Sequence, residues 1–79
     1  MSVTALIVTR SVGEVLPETI NSLKTYDFEK VIVVSKIGQE KPTWCDLLIV
    51  EKGSLGKARN VGVRNVDSKF ILMVDSDIV

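Results

Sequence analysis

Four short apolar runs limit the folds open to this chain: Ala5–Val8, Val31–Val34, Leu47–Val50 and Phe70–Val74. Each is rich in β-branched residues, and none alternates apolar with polar side chains. A strand with one wet face alternates, whereas a strand covered on both faces does not. The runs therefore predict a parallel sheet with helices on its faces. None approaches the ~20 apolar residues that a membrane-spanning helix requires.

The segments between the runs supply those helices. Leu16, Ile20 and Leu23 fall at i, i+4 and i+7, the apolar stripe of an amphipathic helix. Pro17 suits its first turn, where an amide has no partner to lose. After the third run, Ser54 is placed to cap a helix reaching to about Val66. Lys57, not Glu, stands three residues on, so there is no capping box. Gly62 costs such a helix about 1 kcal/mol unless close packing requires it, which predicts contact with the sheet. The order is β-α-β, a connection over residues 36–45 containing Gly38 and Pro42, then β-α-β. Parallel crossovers usually take a dozen residues or more, so that connection is tight. The fold class expected is α/β: a Rossmann-like, open, mainly parallel four-stranded sheet in a single domain over residues 1–79.

Composition removes several kinds of chemistry. Ten basic and ten acidic residues cancel, leaving no global field for nucleic acid. The single cysteine, Cys45, excludes an internal disulfide, and the absence of histidine removes Ser-His and Cys-His catalysis. A metal would have to be held by oxygen. The opening Met1-Ser2-Val3-Thr4 lacks the basic region of a signal peptide, so a cytoplasmic location is expected. Trp44 and Tyr26 are expected to pack, and Cys45 to be an inert thiol.

In open parallel sheets, ligands sit beyond the carboxyl ends of the strands. The segments emerging there are Thr9-Arg10-Ser11, Ser35-Lys36, Glu51-Lys52-Gly53-Ser54 and Asp75-Ser76-Asp77. In the last, strand alternation sets Asp75 and Asp77 on one side, a pair of oxygen donors suited to Mg²⁺ or Mn²⁺. The alternative is a solvated acidic turn. In the third, Gly53 and Gly56 stand beside Lys52, Lys57, Arg59 and Arg64 at a helix start. Backbone amides and a positive dipole end there make a plausible diphosphate cradle. The spacing is not that of a P-loop, and an ordinary solvated helix face is the plainer reading of this segment alone. Together the two segments offer a metal-bound diphosphate both things it needs. Thr9 and Ser35 would add hydroxyl contacts to a nucleotide, or else simply cap turns.

With those residues in view, the whole chain resembles the N-terminal, nucleotide-binding half of the family-2 inverting glycosyltransferases of GT-A fold. The resemblance is most specific in Gly56-Lys57-Ala58-Arg59-Asn60-Val61-Gly62-Val63, followed by Phe70-Ile71-Leu72-Met73-Val74-Asp75-Ser76-Asp77. It implies that a nucleotide-diphosphate sugar is the ligand. Asp77 would ligate the cation, Asp75 would support it through ribose or water, and Thr9 would touch the nucleotide. Lys57 and Arg59 would lie near the base or diphosphate. Two departures bear on the base: Val8-Thr9-Arg10-Ser11 replaces the family's Pro-Thr-x-Asn, and Ser35-Lys36 stands where aspartates usually hold uracil.

The resemblance also sets the acceptor site and general base after the Asp-x-Asp, whereas the sequence given ends at Val79. The expectation is a domain truncated after that motif, which binds donor but transfers no sugar, with no catalytic residue assigned. The resembled strand order, 3-2-1-4, leaves Phe70–Val74 at an edge and predicts a homodimer through that strand. Two alternatives stand beside this reading. One is a non-catalytic nucleotide-binding or folding module. The other is a haloacid-dehalogenase-like phosphatase, in which Asp75 would be the nucleophile.

Overall fold

The computed structural model describes the backbone of residues 2–75 and side chains through residue 74. Four strands, β1 (Val3–Thr9), β2 (Lys30–Ser35), β3 (Leu47–Val50) and β4 (Phe70–Asp75), form one sheet in the order β3-β2-β1-β4. Every neighbouring pair is parallel. The architecture is the α/β sheet that the apolar runs predict, with β1, β2 and β4 extended by one to three residues beyond them. Asp77 lies outside the described residues.

Alternation through β1 and β2 sends side chains to two separate cores. Ala5, Ile7, Val31 and Val33 pack with Leu23 of helix α1 (Pro17–Thr25), Val15 and Cys45. Leu6, Ile32 and Val34 pack with Ala58 of helix α2 (Leu55–Arg64) on the opposite face. Two covered faces explain why these strands show no polar alternation.

One helix boundary differs from the sequence reading. Leu16 is the residue before α1, extended at φ −66° and ψ 143°, and 44% exposed. Proline disfavours helical geometry in the residue preceding it, so Pro17 begins the helix and turns Leu16 out of its stripe. At the start of α2, the Ser54 hydroxyl accepts from the Lys57 amide at 3.3 Å. Ser54→Ala is expected to lower stability by about 1 kcal/mol, measured by denaturant unfolding; an unchanged midpoint would show that this cap contributes nothing.

Gly62 is where α2 meets the sheet. A Cβ built there would stand 2.5 Å from Leu6 Cδ1 and 2.9 Å from Leu6 Cδ2. Only glycine admits the helix this close to a fully buried leucine.

The connection from β2 to β3 contains no helix, and side chains do the work of one. The Asp46 carboxylate accepts from the Val31 amide at 2.7 Å, while the Asp46 amide donates to the Val31 carbonyl at 2.8 Å. Lys41 Nζ donates to the Cys45 carbonyl at 2.9 Å. Gln39 Oε1 accepts from the Val12 amide at 2.9 Å, tying the loop to the 3-10 turn Val12–Glu14. Cys45 is buried, and that burial pushes its thiol pKa up, which keeps it protonated and unreactive. Trp44 packs against the α1-side core. Tyr26 does not: it is 67% exposed, its ring tilted against Phe28 at 6.0 Å. No helix among the described residues is long and apolar enough to cross a membrane.

Candidate functional site

The carboxyl ends of β1, β2 and β3 are laced together one residue past the strands. The Lys36 amide donates to the Thr9 carbonyl at 3.3 Å, and the Glu51 amide donates to the Ser35 carbonyl at 2.9 Å. Beyond this edge a cleft of about 260 Å³ opens against the N-terminus of α2. Its walls come from Thr9 and Arg10, from Ser35 and Lys36, from Glu51 and Gly53, and from the first turn of α2. Ligand clefts usually measure ~300–1,000 Å³, so this one suits a single moiety of a larger ligand.

Both predicted hydroxyl residues line the cleft, and both hydroxyls are engaged in turns. Thr9 Oγ1 donates to the Ser11 carbonyl at 2.8 Å and accepts from the Ser11 amide at 3.3 Å. Ser35 Oγ donates to the Ile37 carbonyl at 2.9 Å and accepts from the Ile37 amide at 3.2 Å. These side chains are buried and shape the two loops that form the wall. Hydroxyl turns of this kind offer the backbone a local alternative to the ladder where the strands end.

Lys57 and Arg59 are exposed on α2 and are not among the lining residues. The helical period decides this. Ala58 and Gly62, four apart, face the sheet and are buried, so the residues on either side of Ala58 are turned to its flanks. What α2 presents to the cleft is Leu55 and Ala58, beside its cap Ser54. The Lys57 amide is taken by Ser54, which leaves the amides of Leu55 and Gly56 without intrahelical acceptors.

Glu51 was not assigned a role by sequence, although it belongs to a strand-end segment. Its carboxylate accepts from the Gly53 amide at 3.0 Å, which orients it at the cleft wall. A Cβ at Gly53 would lie 2.9 Å from Glu51 Oε1 and 2.8 Å from Lys57 Cδ. Glycine at this position is what allows the carboxylate to fold back onto its own loop. Arg10 and Lys36 also line the cleft, and Arg10 pairs with Glu14 of the 3-10 turn that follows β1. The signal for all three was position alone, as each directly follows a strand.

The acidic motif enters from the other neighbour of β1. Parallel register sets Asp75 beside Val8, one residue before Thr9. Thus β4 delivers the start of Asp75-Ser76-Asp77 to the edge of the sheet that carries the cleft. The Asp75 side chain and Asp77 lie outside what the structure describes. Among the described residues, no three His, Cys, Asp or Glu side chains converge on one point. Comparison with family models, with curated proteins and with solved structures gave no match for this chain.

Proposed function

We propose that the chain binds a nucleoside diphosphate, carried as a nucleotide sugar, through a divalent cation, Mg²⁺ or Mn²⁺, as the donor-binding half of a GT-A-like glycosyltransferase. The observation that carries this reading is the cleft between the β1 and β2 ends and the α2 N-terminus, with β4 bringing the backbone of Asp75, the first residue of the sequence's Asp-x-Asp, to the same sheet edge. Free helix-start amides favour anionic oxygens, and Gly53 and Ser54 line the cleft beside them. Asp75 and Asp77 would hold the cation, which when bound neutralises charge on the diphosphate. Thr9 and Ser35 would shape the nucleotide's wall, and Lys57 and Arg59 would draw phosphate electrostatically from the flanks of α2. The single buried cysteine suits a reducing, cytoplasmic setting. Sugar transfer further requires a general base, and we assign none among the described residues.

Calorimetric titration with a panel of nucleoside diphosphates in Mn²⁺ tests the reading. Saturable binding with a preference for one base is expected. Heats that are the same in chelator, or the absence of binding by every member, would overturn it.

The same reading makes the chain a homodimer through β4. Phe70, Ile71, Leu72 and Met73 are consecutive, and each is 37–49% exposed. Among the described residues β4 pairs only with β1, and open apolar strand edges invite a further strand.

A further inference from the structure

We propose that the cleft receives the base of the nucleotide, and that Glu51, with Lys36 beside it, selects guanine. The inference rests on the nucleotide reading and deepens it by naming the base. The first support is the character of the lining. Val8, Val34, Leu55 and Ala58 supply apolar surface suited to the flat face of a ring. Glu51 adds a negative charge to the wall, and that charge repels a diphosphate. The uncharged part of the ligand therefore belongs at Glu51, with the diphosphate left to the start of α2 and the cation.

The second support is an acid and a base that are neighbours without pairing. Register sets Ser35 beside Val50, so Lys36 and Glu51 leave adjacent strand ends side by side, and both line the cleft. Among the described residues, neither makes an ion pair with the other or with any third side chain. Glu51 Oε1 accepts instead from the Gly53 amide at 3.0 Å, and Oε2 has no hydrogen-bond partner among the described residues. The cleft wall thus holds a fixed carboxylate next to an unengaged ammonium.

Base edges differ in how well they match that set. An ionised carboxylate only accepts hydrogen bonds, and an ammonium only donates them. Guanine offers O6, N1–H and its 2-amino group in a row, an acceptor followed by two donors. Lys36 would serve O6, and the Glu51 carboxylate would take both donors as a bidentate pair. Adenine and cytosine offer an amino group beside a ring nitrogen, whose lone pair would face the second carboxylate oxygen. Uracil offers a single N–H between two carbonyls, so that oxygen again meets an acceptor. A polar group left facing the wrong partner is what penalises the other bases.

Calorimetry in Mn²⁺ on the wild-type chain and Glu51→Gln tests the assignment. The wild-type chain is expected to bind guanosine diphosphate about tenfold or more tightly than the adenosine, cytidine and uridine diphosphates, the discrimination typical of a bidentate base contact. Glutamine keeps an oxygen for the Gly53 amide but presents an N–H₂ group in place of the other oxygen. Glu51→Gln should therefore lose the preference for guanine and favour xanthosine diphosphate, which has an oxygen where guanine has its 2-amino group. Misfolded protein cannot produce a reversed preference. Wild-type binding without a preference for guanine would overturn this inference and leave nucleotide binding standing. So would an equal loss for every base in Glu51→Gln, which would set the carboxylate on the ribose hydroxyls. Absence of binding by every nucleoside diphosphate would overturn both readings.

Discussion

Replacing Asp77 by alanine is expected to abolish most of the metal-dependent affinity for a nucleoside diphosphate, a loss of roughly 100-fold or more. Groups that merely orient metal ligands cost about 10–100-fold when mutated, so a direct ligand should exceed that range. Asp75→Asn should fall within it, because it keeps the shape of the side chain while removing a charge that helps hold the cation. Asp67 supplies the control. It is an exposed acid just before β4, at the end of the strand away from the cleft. Asp67→Asn removes the same unit of charge and should leave binding unchanged, which separates ligation from a general electrostatic effect. The measurement is calorimetry with Mn²⁺, with each variant repeated in chelator. Wild-type affinity in Asp77→Ala, or an equal loss in Asp67→Asn, would sink the metal assignment.

The second large effect lies at the contact of α2 with the sheet. Gly62→Ala introduces a Cβ 2.5 Å from a methyl carbon of Leu6, a side chain with no exposed surface and no room to retreat. Overpacking costs about 1–3 kcal/mol, and alanine returns about 1 kcal/mol of helix propensity. The net loss expected for Gly62→Ala is up to about 2 kcal/mol, or up to roughly 15 °C in Tm for a domain of this size. Gly62→Val, with two further methyls and a smaller propensity gain, should cost about 3 kcal/mol or more. Leu6→Ala alone should also destabilise, by about 2–5 kcal/mol. Combined with Gly62→Ala, it should cost less than the two single changes added, because the truncated leucine vacates the space that the new methyl needs. Strict additivity in denaturant unfolding would show that the two residues do not share that space.

These expectations come from different depths of the chain. Ser54 as a cap, Gly62 as a packing glycine, and the four apolar runs as parallel strands were all legible from residue types and spacing. Each reports a local requirement: an orphan amide, a missing Cβ, a period of two hidden by cover on both faces. That cover holds only for β1 and β2, since β3 is partly exposed and Phe70–Met73 of β4 are exposed. The error at Leu16 was local too. The stripe with Ile20 and Leu23 suggested a helical residue, while Pro17 beside it determined extended backbone and exposure. Tyr26 escaped prediction for another reason. An aromatic ring on its own does not report whether a neighbour arrives to cover it.

The candidate site was legible as a sheet edge and not as a list of side chains. Strand ends and a glycine-bearing helix start pointed to the sheet edge at which the cleft lies. Which residues face it was settled by contacts between segments far apart in the chain. Thr9 and Ser35 reach the wall with their hydroxyls already committed to their own turns. Glu51 reaches it because Gly53 leaves room for its carboxylate. Lys57 and Arg59 miss it because Ala58 and Gly62 take the inward face of α2. By itself the sequence determined the element types, the caps and the close approach of helix to sheet, since those depend on neighbours a few residues away. The strand order β3-β2-β1-β4 is the one that the resemblance implied. Only the tertiary structure decided the cleft's lining, because that depends on where distant strands end relative to one another.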